Sequence, residues 1–557
     1  MLFPETKNEE RKKQILSSPV FSNALKELET LRQHYLNTPI ETATFNQFKL
    51  FYTEGDRRNY QDMYFAKRGR LNVFTMASLL YERREDIEAL EDIIWAICDE
   101  YTWVLPAHSK DLGNCYDKNI IDLFSAETGC ALSEIHYLLG DKLDAKINKR
   151  IEECVEERIF QTYLNGHFFW DSCEGNWAAV CAGSVGMAFI YLAPDRFEMV
   201  RERIIDTLKC FLRSFGDDGA CLEGISYWNY GFGYYTYFAQ LLYEFTNGKE
   251  NLFEFPICRK VALFQQNVFL RKNHTVSFAD GSRESSIQPG LSQKLRDVYG
   301  DEILIPSMEY AEFDDHCHRF AAYTRNFFWT DSNASYSDNI NKEMFYPDAG
   351  WYLCNNSALS FAAKAGHNEE PHNHNDIGSF ILVSDDGQIL CDFGAGEYDR
   401  DYFSVRRYNY LCNSSRGHSL PIINGKLQQE GEEFSGTVIS AGDGRFVIDI
   451  AGAYDEPNVK ALKREVSLKD NVFELCDSFE YNKKGNIVRE RFVTMIKPEW
   501  DGERLKISGY ELKFDGTNQP LLSSEKLLNH MGQEDIMYMI DFELTDPKEF
   551  RLRISEI

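Results

Sequence analysis

Apolar positions over roughly the first 330 residues recur at helical spacing. Leu79, Leu80, Ile87, Leu90, Ile93, Ile94 and Ile97 follow a period near 3.6, with charges between them. Leu138, Leu139, Leu143, Ile147, Ile151 and Ile159 make a second such run. Ile204, Ile205, Leu208, Phe211 and Leu212 make a third, stopped by the turn Gly216-Asp217-Asp218-Gly219. Phe238, Leu241, Leu242 and Phe245 make a fourth, stopped by Asn247-Gly248. Amphipathic helices with short connections predict helix-on-helix packing, and no strict repeat is present.

A polar, turn-rich stretch from Asp331 to Met344 marks a boundary, and the period then changes to two. Trp351-Tyr352-Leu353, Ala358 to Phe361, Phe380 to Val383 and Gln388 to Asp392 read as strands, with Ser384-Asp385-Asp386-Gly387 as a hairpin turn. Arg445 to Ile450, Phe473 to Asp477 and Arg551 to Ile554 continue the scheme. The pattern predicts a helical domain over residues 1–335 and an antiparallel β-sandwich over residues 345–557.

Composition narrows the partners. A formal net charge of −28 argues against nucleic acid or an anionic membrane, yet a local cationic patch can still hold an acidic ligand. Aromatic residues make up 14% of the chain, enough to fill cores and also to line a cleft for sugar rings. The first ten residues contain no apolar segment of signal-peptide type, and no apolar run is long enough to span a bilayer. The 14 cysteines show no CxxC and no framework spacing. They read as reduced, buried thiols of a cytoplasmic protein, or of a secreted one lacking its leader.

Candidate chemistry centres on Pro371-His372-Asn373-His374-Asn375-Asp376-Ile377-Gly378-Ser379-Phe380. In an extended segment His372 and His374 point to one side, and two charged imidazoles there would repel. His374 reads as a metal ligand and His372 as a proton-handling group; a polar loop entering a strand is the plainer alternative. His374, Asp392 and His418 together make a zinc shell that water would complete. In the helical half, Asn176 of Gly175-Asn176-Trp177 either donates to a carboxylate or caps a helix. Glu223 to Tyr235 gathers four tyrosines, Trp228 and three glycines, Gly224, Gly231 and Gly233, and reads either as a sugar-contacting surface or as core.

These motifs resemble the heparinase II/III-like polysaccharide lyases. The matching segments are Gly175-Asn176-Trp177, Glu223-Gly224 with Tyr227-Trp228-Asn229-Tyr230-Gly231, His372 to Asp376 with Gly378-Ser379-Phe380, Cys391-Asp392-Phe393-Gly394, and His418. The resemblance implies an incomplete (α/α) toroid followed by an antiparallel β-sandwich. It implies β-elimination on a uronic-acid glycan, glycosaminoglycan- or alginate-like, with His372 as the active-site histidine and Asn176 neutralising the substrate carboxylate. It makes His374, Asp392 and His418 the ligands of a structural metal, usually zinc. The catalytic tyrosine falls in the aromatic segment, with Tyr234 placed ahead of Tyr230. One family variant carries a glutamate where this chain has Ala179. Trp177, Tyr227, Trp228, Arg406 and Arg416 complete the expected substrate-binding set, with Arg407 a further candidate to stabilise a phenolate. The competing readings are a glycoside hydrolase using Asp171, Glu174 and Glu223 on the helical toroid, and a carbohydrate-binding protein without turnover.

Overall fold

The computed structural model describes residues 1–109, 120–305, 315–331, 343–515 and 519–557. Its helical half packs helix on helix, as the apolar periodicity predicts, in the incomplete toroid that the resemblance implies. The first predicted run divides between two helices, Arg58–Leu80 and Arg84–Cys98. The second divides between Leu123–Leu139 and Ala145–Val155, with residues 140–144 as the connection. Arg201–Arg213 and Ile225–Phe245 hold the third and fourth. From Ile225 onward the aromatic segment is therefore helical.

At the centre of the toroid runs Asn176–Leu192, buried from Ala178 to Tyr191. A helix apolar on every side needs neighbours on every side. Leu123–Leu139, Arg201–Arg213 and Ile225–Phe245 supply them. Small residues permit the close approach: a methyl on Gly186 would collide with the Phe238 ring. Among the described residues no helix is long and apolar enough to cross a membrane, and the cysteines form no disulfide.

The last described toroid helix ends at Phe328 and the first strand of the β half begins at Glu343; residues 332–342 of the predicted boundary lie outside the described residues. Glu343–Tyr346, Trp351–Asn355, Leu359–Lys364, Phe380–Ser384 and Gly387–Leu390 form a five-stranded antiparallel meander. Nine- and four-stranded antiparallel sheets make up the rest of the β half. In the nine-stranded sheet, strands such as Val459–Lys469 and Glu549–Glu556 alternate buried with exposed positions, as a sheet with one wet face must.

The meander does not alternate, and the reason lies in its position. Trp351, Leu353, Ala362, Ile381 and Val383 belong to the toroid core, whereas Tyr352, Phe361, Ala363, Phe380 and Leu382 belong to the sandwich core. The sheet is buried on both faces, so its strands read as unbroken apolar runs. It fixes the two halves against each other and sets the position of the loop that enters Phe380–Ser384.

A second junction closes one side of the cleft. Arg58 donates to the Met531 carbonyl, and Gly55 lies against Arg400. The start of the Arg58–Leu80 helix thus meets two loops of the β half, around residues 398–400 and 529–532.

Candidate functional site

The two halves meet on one carboxylate that the sequence did not single out. Asp280 sits in a turn after Ala279, whose φ is +54°, and is wholly buried. His372 Nδ1 lies 2.5 Å from one of its oxygens and His374 Nε2 3.1 Å from the other. Tyr398 and Tyr402 donate to it at 2.9 and 2.6 Å, and Arg407 Nη2 at 3.2 Å. Burial alone would raise the Asp280 pKa. Hydrogen bonds from the two histidines and the Arg407 charge outweigh that and hold it well below the usual carboxylate range.

His372 and His374 therefore share a partner through a turn, not along an extended segment. His372 has φ of +56°, a left-handed conformation that costs an L-residue about 1–3 kcal/mol. Arg407 holds the turn by donating to the carbonyls of His372 and Asn373 at 2.7 and 2.9 Å. The Asn375 amide donates to the Asn413 carbonyl at 2.9 Å. Gln428 brackets Ile377, accepting from its amide and donating to its carbonyl. Burial alone would lower the His372 pKa, but Asp280 and the nearby Glu223 raise it.

Across the cleft, Asn176 is the first residue of its helix and Gly175 is the cap, with no side-chain capping bond. The capping role is thus absent. The Asn176 amide instead points at Glu223 Oε2, 3.4 Å away, and His372 Nε2 lies 3.8 Å from the same oxygen. A methyl on Gly231 would strike Asn176 Oδ1, so glycine there lets the amide lie flat against the Ile225–Phe245 helix.

The phase of that helix sorts its aromatics. Tyr227, Tyr230, Gly231 and Tyr234 fall at i, i+3, i+4 and i+7, on one face. Tyr227 stacks near His372, with ring centroids 4.7 Å apart, and its hydroxyl meets Tyr398 at 2.7 Å. Tyr230 is half-buried and donates to Glu127 Oε1; Arg319 lies 3.9 Å over its ring. Tyr234 donates to Glu127 Oε2 at 2.9 Å but is only 2% exposed. Of the two candidate bases, Tyr230 is thus the more exposed and Tyr234 the more deeply buried. Trp228 lies on the opposite face, fully buried, donating to the Val261 carbonyl at 2.8 Å, so it does not line the cleft.

The remaining expected contacts divide in the same way. Trp177 is half-buried against His108 and Phe169, at centroid distances of 4.9 and 5.0 Å. Arg406 pairs with Asp401 at 2.8 Å and Arg416 lies 3.6 Å from Glu525, both within the β half. Arg407 reaches Asp280, not a base. Asp171 and Glu174 are taken up by Arg203 at 2.7 Å and Arg213 at 2.8 Å. That leaves Glu223 alone of the proposed hydrolase carboxylates beside His372.

Glu127 was also missed. Burial raises its pKa to about 7, against the lowering effects of Arg319 and the two phenol donors. Its signal in the sequence is a lone charge in an otherwise uncharged helical stretch, Leu123 to Leu132.

Below His372, the donor atoms of His374, Asp392 and His418 lie within 4.8 Å of one another, all fully buried. His418 Nε2 faces the Cys412 carbonyl at 2.8 Å, which places the proton there and turns Nδ1 toward Asp392 Oδ2 at 3.1 Å. His374 Nε2 faces Asp280, and its Nδ1 is buried with no hydrogen-bond partner among the described residues. Two imidazole lone pairs and a carboxylate oxygen converge, which fits a zinc-type donor set whose outer partners fix both tautomers.

The comparisons agree with this architecture. Residues 342–515 match the family model of the heparinase II/III-like C-terminal domain. The sequence matches no curated protein. Among solved structures, heparinase III superposes with a TM-score of 0.65 at 13% identity, over 94% of this chain and 79% of that one. A mutant of the heparan sulfate lyase from Pedobacter heparinus gives 0.58 at 11% identity, over 98% and 90%. The chondroitin AC lyase of Streptomyces coelicolor A3, solved with chondroitin sulphate, gives 0.56 at 10% identity, over 99% and 82%. The chain thus carries the heparinase II/III-like C-terminal domain on the toroid-and-sandwich fold of heparinase III.

Proposed function

We propose that the protein is a polysaccharide lyase that cleaves uronic-acid-containing glycans by β-elimination. One observation carries this reading: an amide from the toroid, Asn176, and an imidazole from the β half, His372, converge on a single carboxylate oxygen, that of Glu223. Groups so arranged suit a second carboxylate, that of a uronic acid. Neutralising it makes the C5 proton acidic enough to remove.

Tyr230 is the base in this scheme. A phenol is a poor base near neutrality unless its own proton has somewhere to go. Glu127, poised at about 7, supplies that acceptor. As the C5–H bond breaks, its proton passes to the Tyr230 oxygen and the phenolic proton passes to Glu127. The electron pair forms the C4–C5 double bond, the C4–O4 bond breaks, and O4 takes a proton back from Tyr230 or from His372. Arg319 over the Tyr230 ring favours the negative charge that develops there. Tyr227 and Tyr398 link to Asp280 and hold the His372 ring.

His374, Asp392 and His418 would hold a zinc ion, whose contribution when bound is to fasten the loop that presents His372. The test is a panel of uronate chains followed by the ultraviolet absorbance of the unsaturated product. New reducing ends without that absorbance would mean hydrolysis, and binding without either product would mean a carbohydrate-binding protein.

A further inference from the structure

Several arginines of this protein are matched by acids. Arg32 meets Asp86, Arg325 meets Glu134 at 2.6 Å, and Arg464 meets Asp477 at 2.5 Å. Half-buried Arg57, beside Tyr398, has no such acid among the described residues. Its Nε is buried with no hydrogen-bond partner among the described residues, and its side chain caps nothing at the start of the Arg58–Leu80 helix. Its guanidinium carbon stands over the Tyr398 ring at 6.0 Å. That ring lies 6.4 Å from His372 and 4.3 Å from His530. Burial lowers the Arg57 pKa, and the groups that act against this are Tyr398, Tyr227 and Cys317, which are neutral at pH 7.

An unpaired guanidinium is expensive to desolvate and is retained where an external anion completes it. Stacking on a phenol leaves its donor edge free for bidentate recognition of a carboxylate or sulfate. Arg58 is tied to the Met531 carbonyl, which anchors the backbone beside Arg57, and Arg57 lies over the Tyr398 ring. We infer that Arg57 is a subsite for an anionic substituent, carboxylate or sulfate, on the sugar next to the one that is cleaved. This rests on the lyase reading above. Tyr398 separates Arg57 from His372, so the group it binds is not the carboxylate held by Asn176 and His372.

The experiment uses the full chain and the variants Arg57→Met and Arg57→Lys. On a uronate chain that the wild type cleaves, Arg57→Met should raise KM about 10- to 100-fold with kcat changed by less than about threefold, and Arg57→Lys should lie between. Thermal unfolding should show Arg57→Met at least as stable as wild type, since a half-buried charge with an unpartnered Nε has gone. Comparing unsulfated heparosan with heparan sulfate separates the sources: a penalty confined to the sulfated chain means sulfate, and an equal penalty on both means carboxylate. An unchanged KM overturns the inference, as does a loss in kcat alone, which would assign Arg57 to the phenol pair. A lower melting temperature with unchanged KM would assign it a structural role and overturn it too. If the wild type eliminates none of the chains, the lyase reading fails separately. Calorimetric titration with the same two chains then decides: weaker binding by Arg57→Met supports the subsite, and equal binding, or no binding by wild type, overturns it.

Discussion

Tyr230 and Tyr234 donate to opposite oxygens of the Glu127 carboxylate, one turn apart on the same helix. Chemistry does not separate them; exposure does. Tyr230→Phe should lower kcat by about 10²-fold or more, because it removes the group that exchanges protons with C5 and O4. Tyr234→Phe should leave kcat within a few-fold and cost about 1 kcal/mol of stability for a lost buried hydrogen bond. Comparable losses of kcat in both would remove the distinction. Glu127 adds a pH signature. Its folded pKa of about 7 lies above the ordinary 4.5, so the folded state holds the proton over that interval. The stability it contributes is complete below about 4.5 and is lost as pH rises through about 7. Glu127→Gln should therefore gain stability relative to wild type between pH 5 and pH 8, read as the difference in melting temperature at the two values. A difference that does not change with pH would mean that Glu127 titrates normally.

The His372 turn and the Ile225–Phe245 helix differ in how much of them the sequence reveals. His372, His374 and Asp376 stand out because three polar residue types crowd ahead of an apolar run. Asp392 and His418 follow at long spacing, and only the fold brings them within reach of His374. Asp280 gives no such signal. It is one acid in a short turn of the helical half, and its importance lies wholly in partners from the β half. The helix is the reverse case: its information was present but in the wrong phase. Trp228, Phe232 and Tyr235 pack together on the core side, while Tyr227, Tyr230 and Tyr234 share the other face. Two interspersed glycines, Gly231 and Gly233, hide that period from a reading based on composition. The turn itself is testable through the metal site proposed for His374, Asp392 and His418. His374→Ala should lose bound zinc and lower the melting temperature together, and a chelator should do the same to wild type. Zinc retained at full occupancy in the variant, measured by elemental analysis, would take His374 out of the ligand set.

At the scale of the molecule, the five-stranded meander is the common wall of two cores. This explains why Phe380 to Val383 is apolar without alternation, and why residues more than 90 positions apart in the chain meet at Asp280. Ile381 faces the toroid and Leu382 the sandwich, each fully buried. Neither half has a complete core without this sheet, so they should unfold as one unit despite their different architectures. Ile381→Ala opens a cavity on the toroid side and should cost about 2–5 kcal/mol. If the cores are coupled, calorimetry will show one transition in wild type that moves down as a whole in the variant. It will carry the loss of near-ultraviolet signal from both Trp228 in the toroid and Trp500 in the sandwich. Leu382→Ala, on the other face, should move the same transition. Independent halves would instead give two transitions, with Ile381→Ala shifting one and Leu382→Ala the other. The cleft would then be held by the loops alone, and the convergence of Asn176 and His372 on one carboxylate would lack its rigid support.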